Sequence, residues 1–434
     1  MCTVAAAPEA ASIRVWQITS DGRRPPAGRS PPERANVAYA PLRAFCSIRG
    51  QIMKLRCLSL IMLFCVISPS ILMAAPITYT EIANSADGFS FGFFPSINPV
   101  GTVAFNGSAA LGSAGIYTGD GGPLSKIAEF HGQVFSPSTL SSPTINDSGA
   151  VTFYIGIAGA STLYSGTAEA LTTIAASDAS FNTFFGIPAI NSSGTVAFGA
   201  LYRNGREAIL TANGGILTTI AETGSMFSSF GGSGGPSIND SGTVAFTVDQ
   251  GQGRGGGVFV SEQGHIRPIA LSGADLTIIE GRPALNNDGT TAFLAFTQVD
   301  GGIFAGKGGA PSLVVSGSFS GTPALNDLGA VAYNRGDAIF IHAGPDSQPL
   351  QIIRTGDSLF GSTVTLLGLS TYGLNDAGQV AFSAQLADGR RVIVRADVST
   401  VPEPPTITLT VTGLIALIGL CVLRSAPREV AKHG

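Results

Sequence analysis

Residues 236–246 read PSINDSGTVAF, and close copies of this stretch recur along the chain. The asparagines of the copies are Asn98, Asn146, Asn191, Asn239, Asn286, Asn326 and Asn375. The glycines that follow three residues later are Gly101, Gly149, Gly194, Gly242, Gly289, Gly329 and Gly378. Successive copies are 40 to 49 residues apart, which is the period of a repeat protein built from one supersecondary unit. Seven such units account for residues 76–398.

The motif predicts a turn followed by a strand. Asn at the first turn position and Gly at the fourth are typical of a type I turn, and Pro99 stands at the second position, where Pro is favoured. We expect the Asn side chain to accept a hydrogen bond from the backbone two residues on. After the glycine, the large Val103 and Phe105 alternate with the small Ala104. Such a strand fits a position covered on both faces.

The remainder of each unit contains two further strand-like runs, for example 115–118 and 124–128 in the first unit. Four short strands in roughly 40–50 residues match one blade of a β-propeller. The seventh unit ends near Arg395 without a fourth strand, whereas the run 77–83 precedes the first unit and resembles the missing strand. We therefore predict an all-β fold, a seven-bladed β-propeller at 76–398 whose N-terminal strand closes the last blade, plus one C-terminal transmembrane helix.

The repeat unit resembles the NxxGxxAF tandem-repeat proteins with variable C-terminal anchors, a bacterial surface family without assigned activity. More distantly it is similar to the propeller repeat of the periplasmic Tol system, with Asn-Asp-x-Gly at the position of that repeat's turn. The first resemblance covers all seven copies. It implies a fold and a cellular address, and no chemistry.

The segment 53–75, MKLRCLSLIMLFCVISPSILMAA, has the composition of a secretory signal peptide. Lys54 and Arg56 precede an apolar run, and small residues stand before Pro76. The alternative is a short membrane anchor that is not cleaved. Residues 1–52 are rich in Arg, Pro and Ala, and we interpret them either as a stretch upstream of a true start at Met53 or as a disordered leader.

The other end of the chain has three features in order. A Pro-rich linker, 399–406, contains Val401, Pro402, Glu403 and Pro404. An apolar run, 407–423, follows, and 17 residues at 1.5 Å each give about 26 Å, the short limit for a transmembrane helix. The tail 424–434 is basic, so the positive-inside rule places it in the cytoplasm.

This ending resembles the PEP-CTERM sorting signal of Gram-negative bacteria, which the core Pro402-Glu403-Pro404 matches residue by residue. The resemblance implies an exosortase as partner, a membrane protease-transpeptidase thought to remove the helix. It implies an exported precursor, membrane-anchored at first and then at the cell surface or in the extracellular matrix. The tail is longer than is usual in that family. A plain C-terminal anchor behind a Pro-rich linker is the alternative.

Composition excludes several classes of function. The five cysteines lie at positions 2, 46, 57, 65 and 421, so the repeat region has no disulfide, thiolate zinc site or cysteine nucleophile. Residues 76–405 hold 12 Lys and Arg against 24 Asp and Glu. Because nucleic-acid binding needs a basic surface to replace counterions, this acidic region argues against it.

Few residues indicate chemistry, and we predict no catalytic, cofactor or metal residue. The Asn-Asp-x-Gly turns offer about two oxygens each, whereas Ca²⁺ takes six to eight, so we interpret them as structural. His131, His265 and His342 are scattered, and we expect them in loops or at rims. The Gly-rich stretch 250–257 leads into a strand, so it predicts a hairpin loop and no phosphate site. Asp120 and Asp357 are acidic residues on connecting loops, and this position is the only reason to consider them for catalysis.

Two functions fit these observations. The first is a non-enzymatic surface or matrix protein whose propeller binds a partner, for example exopolysaccharide or another surface protein. The alternative is a secreted polysaccharide hydrolase or lyase that uses acidic residues at the mouth of the propeller channel. Convergence of three or more acids or histidines at one mouth would favour the enzyme, and near-identical turns on every blade would favour the structural role.

Overall fold

The computed structural model describes residues 77–398 apart from 109–111, 133–138, 158, 225, 231–233, 252–254, 274 and 345–346. The predicted leader, signal peptide, linker, membrane helix and tail lie outside these described residues. Within them the regular structure is β-strand, with one three-residue 3-10 helix at Ser85–Asp87 and no α-helix.

The strands form seven antiparallel sheets, numbered here as blades 1 to 7 in chain order. The first strand is β1 (Ile77–Asn84). Blades 1 and 2 then contain β2 (Ser90–Phe91), β3 (Ser96–Ile97), β4 (Val103–Ser108), β5 (Ser113–Gly119), β6 (Ser125–His131), β7 (Thr144–Ile145), β8 (Val151–Ile157), β9 (Ala160–Gly166) and β10 (Leu171–Ala176). Blades 3 and 4 contain β11 (Phe181–Ile190), β12 (Val196–Tyr202), β13 (Glu207–Asn213), β14 (Ile216–Glu222), β15 (Ser237–Ile238), β16 (Val244–Asp249), β17 (Gly256–Glu262) and β18 (His265–Leu271).

The last three blades follow the same order of strands. They contain β19 (Ile278–Leu285), β20 (Thr291–Phe296), β21 (Gly301–Gly306), β22 (Ser312–Ser316), β23 (Ala324–Leu325), β24 (Val331–Arg335), β25 (Ala338–His342), β26 (Leu350–Arg354), β27 (Ser358–Leu359), β28 (Ser362–Leu374), β29 (Val380–Leu386) and β30 (Arg391–Val398). In each blade the strand that ends at the Ile or Leu directly before the Asn of the repeat is innermost. These innermost strands, β3, β7, β11, β15, β19, β23 and β28, contact one another in a closed cycle in which β28 lies beside β3.

The blades pack through the alternation of large and small residues that the sequence predicted. At the junction of blades 7 and 1, Val103 and Phe105 of β4 pack against Ala381 and Ile393 of blade 7. The aromatic residue at this position of the repeat is at most 2% exposed in every blade. These aromatics are Phe105, Phe153, Phe198, Phe246, Phe293, Tyr333 and Phe382. Because burying such a side chain contributes about 1.5–3 kcal/mol, the interfaces between blades stabilise the ring.

The first strand closes the ring, as predicted. β1 pairs antiparallel with β30, so that Tyr79 is opposite Ala396 and Thr80 is opposite Arg395. Blade 7 thus takes its outermost strand from the beginning of the chain and its other strands from the end. This pairing leaves the last blade without an unpaired outer edge on β30.

Two arginines of β30 reinforce the closure by reaching into blade 1. Arg391 Nη1 donates to the Phe91 carbonyl at 2.8 Å, and its guanidinium lies 4.1 Å from the centre of the Phe93 ring. Arg395 Nη1 donates to the Gly101 carbonyl at 2.9 Å. Charged donors make stronger hydrogen bonds than neutral ones, so these contacts hold the first blade against the last.

The innermost strands of blades 3 and 4 approach closely because they carry glycine. Gly186 has φ +72°, and a Cβ built on it would lie 2.5 Å from Gly235 Cα. Gly235 itself has φ +79°, and its Cβ would lie 2.8 Å from the Ile187 carbonyl. Only glycine fits both the backbone conformation and the contact. Blades 3 and 4 are therefore in direct backbone contact at this level.

Candidate functional site

The seven turns of the repeat meet at one end of the axis, where their asparagines are joined. The side-chain amide of each Asn donates to the backbone carbonyl of the corresponding Asn in the next blade, with N···O distances of 3.0 to 3.3 Å. The pairs are Asn98–Asn146, Asn146–Asn191, Asn191–Asn239, Asn239–Asn286, Asn286–Asn326, Asn326–Asn375 and Asn375–Asn98. We call this set the asparagine ring. The last pair joins blade 7 to blade 1, so the ring is unbroken.

Each asparagine also closes its own turn. In blade 4 the Asn239 carbonyl accepts from Gly242 N–H at 3.0 Å, and Asn239 Oδ1 accepts from Thr243 N–H at 2.9 Å. The expectation that Oδ1 accepts from the backbone two residues on was wrong. Gly242 has φ +82°, and this left-handed residue turns the N–H of the next residue, Thr243, back towards the Asn side chain. Two residues on, it is the hydroxyl of Ser241 that donates, at 2.8 Å.

The residues that follow the asparagines form a second, exposed layer of hydrogen bonds. Asp240 Oδ1 accepts from Ser192 N–H at 2.8 Å. The Asp240 N–H in turn donates to Asn287 Oδ1, and the pattern continues through Asp327 to Asp376, with N···O distances of 2.7 to 2.8 Å. Each of these side chains therefore bridges one blade to the next.

Four aspartates gather at this end of the axis, namely Asp147, Asp240, Asp327 and Asp376. Burial raises the pKa of Asp147, and the other three carboxylates raise it further. Burial also raises the pKa of Asp376, with a further contribution from Asp327. Three of the four accept backbone hydrogen bonds from a neighbouring blade, so they have a structural use as turn acceptors.

Calcium at the turns would need a denser set of oxygen ligands. Across residues 77–398, less the gaps given above, no group of three His, Cys, Asp or Glu side chains has a geometry that could hold a metal ion. The arrangement of the turns agrees with the structural interpretation of the Asn-Asp-x-Gly motif.

The histidines are not brought together. His131 ends β6, where its Nε2 lies 3.6 Å from Glu129 Oε2, and His265 begins β18. The expectation that the histidines lie in loops or at rims was wrong for His342, which is the last residue of β25 and is buried. It is buried because the pairing of β25 extends through it to Val331.

The candidate loop acids stabilise their own loops. Asp120 Oδ1 accepts from Gly122 N–H at 3.1 Å, and Asp357 Oδ2 accepts from Arg354 N–H at 2.9 Å. The Gly-rich stretch joins β16 to β17, and Gln250 N–H donates to the Gly255 carbonyl at 2.9 Å. The predicted hairpin loop is confirmed there.

A cavity of about 770 Å³ lies near the axis. It is lined by residues that lead into the innermost strands, including Phe94, Gly321 and Ser370. The turns follow the other ends of those strands, so the cavity faces away from the asparagine ring. It extends outwards between blades 4 and 5, where Asp249 and Thr277 line it. We call it the axial cavity.

Arg282 of β19 lines the axial cavity and is 2% exposed. Its Nη2 donates to the carbonyls of Ile187 and Pro236, from blades 3 and 4, the second at 2.6 Å. Its Cζ lies 4.9 Å from the centre of the Tyr372 ring of blade 7. Burial lowers the pKa of Arg282, and Tyr372 and Tyr154 oppose this shift. An arginine nevertheless stays cationic at neutral pH because the guanidinium is the most basic side-chain group in proteins.

The guanidinium is incompletely paired. Nε and Nη1 of Arg282 are buried and have no hydrogen-bond partner among the described residues. None of the ion pairs found within that part of the chain includes Arg282. A buried cation with free donors is costly, so this residue is the strongest indication of a binding site in the propeller.

Arg282 was not among the residues predicted from the sequence, although its position in the repeat unit is unusual. Arg282 stands four residues before the Asn of its unit, and the other six units have uncharged residues at that position. These residues are Phe94, Ser142, Ile187, Gly235, Thr322 and Thr371. A single charge at a position that is uncharged in the other six units was the available clue.

The predicted sorting motif, Val401 to Pro404, lies outside the described residues, so its prediction stands as made. Among residues 77–398, with the gaps already stated, no helix has the length and hydropathy needed to span a membrane.

Comparison with known proteins gives a family and a set of solved structures with limited similarity. The model of a family of unknown function, DUF7453, matches residues 80–317 and 331–408. No curated protein matches the chain. Among solved structures, prolyl oligopeptidase B from Galerina marginata is 9% identical with a TM-score of 0.48, covering 73% of this chain and 49% of its own. A puromycin-hydrolyzing peptidase of Mycobacterium tuberculosis is 12% identical with a TM-score of 0.47, covering 73% of this chain and 54% of its own. The chain thus spans about half the length of these structures.

Proposed function

We propose that this chain, which belongs to the DUF7453 family of unknown function, is an exported surface protein whose propeller binds a partner without chemically changing it. The asparagine ring carries this proposal. The most repeated polar side chains of the molecule hold the blades together, and they do so in the same way in every blade.

The aspartates at the same end of the axis support the structural role. Four carboxylates converge there, the arrangement that would favour an enzyme, but Asp240, Asp327 and Asp376 each accept a backbone N–H of the neighbouring blade. A general acid or base must be free to exchange its proton with a substrate. Carboxylates engaged in holding turns are poorly suited to that task.

The sequence supports the cellular address. Residues 53–75 have the composition of a signal peptide, and Val401 to Pro404 precede an apolar run and a basic tail. In this proposal an exosortase recognises the motif and removes the helix, which releases the propeller to the cell surface or the matrix of a Gram-negative bacterium. Exopolysaccharide is the partner that we propose, and another surface protein is the alternative.

Binding without turnover is tested with the full chain and bacterial exopolysaccharide. We expect the protein to co-sediment with the polymer while no new reducing ends and no unsaturated products accumulate. Release of either product would replace the binding role with the hydrolase or lyase. Failure to co-sediment would refute exopolysaccharide as the partner.

The address is tested by the intact mass of the mature protein isolated from the cells that make it. We expect a mass that lacks residues 53–75 and the apolar run 407–423. A mass that retains the apolar run would contradict removal of the helix.

A further inference from the structure

We propose that the axial cavity binds a sugar acid and that Arg282 receives its carboxylate. The inference rests on the proposed function, because it names the class of saccharide that the propeller binds and the residue that selects it.

The first argument is the unmet hydrogen-bonding capacity of Arg282. Its Nη2 is engaged by two carbonyls and one face of the guanidinium lies against Tyr372, which fixes its position. Nε and Nη1 remain without partners among the described residues. A buried donor that lacks an acceptor destabilises the folded protein, and more so when it is charged. Arg282 lines the axial cavity and has no anionic partner among the described residues, so a carboxylate bound in the cavity would pair with its charge.

The second argument is the shape of the site. The axial cavity measures about 770 Å³, within the roughly 300–1,000 Å³ of small-ligand sites. Arg282 is held by carbonyls of blades 3 and 4 and by an aromatic ring of blade 7. Three blades therefore fix the cation before any ligand arrives. Such preorganisation reduces the entropy lost on binding.

The third argument is the charge of the remaining lining, which selects a hydroxylated monoanion. Asp249 and Glu280 line the same cavity as Arg282. These two carboxylates repel a dianion such as phosphate more strongly than a monoanion, and they accept hydrogen bonds from hydroxyl groups. The hydroxyls of Thr322 and Thr371, which bond to each other, also line the cavity. One carboxylate and several hydroxyls are the chemistry of a uronic acid.

The experiment measures the affinity of the full chain for small probes by calorimetric titration. The probes are sodium D-glucuronate, sodium D-galacturonate, glucose, inorganic phosphate and the methyl ester of D-glucuronate, which keeps the shape and loses the charge. We expect a uronate to bind at least about tenfold more tightly than the ester, since the ester loses a charge-assisted hydrogen bond. We expect glucose and phosphate to bind more weakly than the uronate.

Variants assign the effect to Arg282. Arg282→Met should reduce uronate affinity at least about tenfold and leave affinity for the ester nearly unchanged. The matched control is Arg267→Met, because Arg267 lies on β18, the outermost strand of blade 4, and is not one of the residues that line the cavity. A thermal unfolding curve checks each variant, and the comparison of uronate with its ester needs only the unaltered chain.

Several results would overturn the inference. Equal affinity for uronate and ester, tighter binding of phosphate than of uronate, or no binding of either uronate would each do so. If exopolysaccharide co-sediments with the protein while the uronates do not bind, this site assignment fails and the proposed function stands. If neither the polymer nor any probe binds, both fail.

Discussion

Replacing Asn286 by Ala should destabilise the propeller more than replacing its neighbour Asn287 by Ala. The two residues lie in the same turn of blade 5. Asn286 is 4% exposed and its side chain makes two hydrogen bonds, to the Asn326 carbonyl at 3.1 Å and from Thr290 N–H at 2.8 Å. Asn287 is exposed, yet its side chain makes three, at 2.8 to 2.9 Å.

The expected magnitudes follow from burial. Each of the two hydrogen bonds of Asn286 contributes about 1 kcal/mol net, and a buried group left unsatisfied adds to the loss. We therefore expect N286A to lower the free energy of unfolding by about 2–3 kcal/mol. For N287A we expect less than about 1 kcal/mol, because exposed groups exchange their partners for water. Urea denaturation followed by far-UV circular dichroism measures the free energy of unfolding of both variants.

Asn286→Asp separates the donor from the acceptor. The carboxylate still accepts from Thr290 N–H but places a charge against the Asn326 carbonyl, so the folded-state pKa of this Asp should be raised. A raised pKa means that the folded state binds the proton more tightly. The destabilisation should thus shrink as the pH falls towards 4, where the protonated carboxyl can donate, while that of N286A stays constant. The reasoning would be refuted if N287A lowered the free energy of unfolding as much as N286A or more. It would also be refuted if the destabilisation by N286D did not change with pH.

The remaining predictions concern the packing at the axis and the aspartates. Gly186→Ala should lower the free energy of unfolding, measured by urea denaturation, by at least about 2 kcal/mol more than Gly194→Ala. Both glycines have positive φ, but only a Cβ at Gly186 would meet backbone, at 2.5 Å from Gly235 Cα. Equal losses would contradict the close approach of blades 3 and 4. Asp147→Asn should stabilise the protein at pH 7 by less than about 1 kcal/mol. The pKa of Asp147 is raised in the folded state, so its ionised carboxylate lowers the free energy of unfolding at pH values above that pKa, whereas the amide of Asn does not. That gain should vanish below about pH 4 and diminish in part in added salt. A gain that persists at pH 3 would show that its cause is not the charge of Asp147, which is disfavoured first by burial and then by the other three carboxylates.

The local sequence carried most of the fold. The Asn and Gly of each turn and the alternation of Phe105 with Ala104 are properties of neighbouring residues, so the strand order and the packing of both faces followed from them. The closure by residues 77–83 followed from counting strands. In contrast, six of the hydrogen bonds between asparagines join residues 40 to 49 positions apart, and the seventh joins residues 277 positions apart. One repeat by itself does not show which backbone group its side chain reaches.

The candidate site was less predictable for the same reason. Arg282 is placed by carbonyls of two other blades and by a ring that lies 90 residues further along the chain. His342 was assigned to a loop because its position at the end of β25 depends on pairing with β24, which composition does not reveal. Both residues also stand where one unit differs from the others, and the pattern that the seven units share does not show such positions.

The most direct test of the seven-bladed ring is hydrogen exchange at the amides of β1, followed by mass spectrometry of the peptide that spans residues 77–84. These residues pair with β30 across more than 300 positions of the chain. If the ring is closed, their hydrogen-bonded amides should exchange as slowly as those of β29, and only when the last blade opens. Exchange of the whole segment at the rate of an open chain, while β29 stays protected, would contradict the closure and with it the ring.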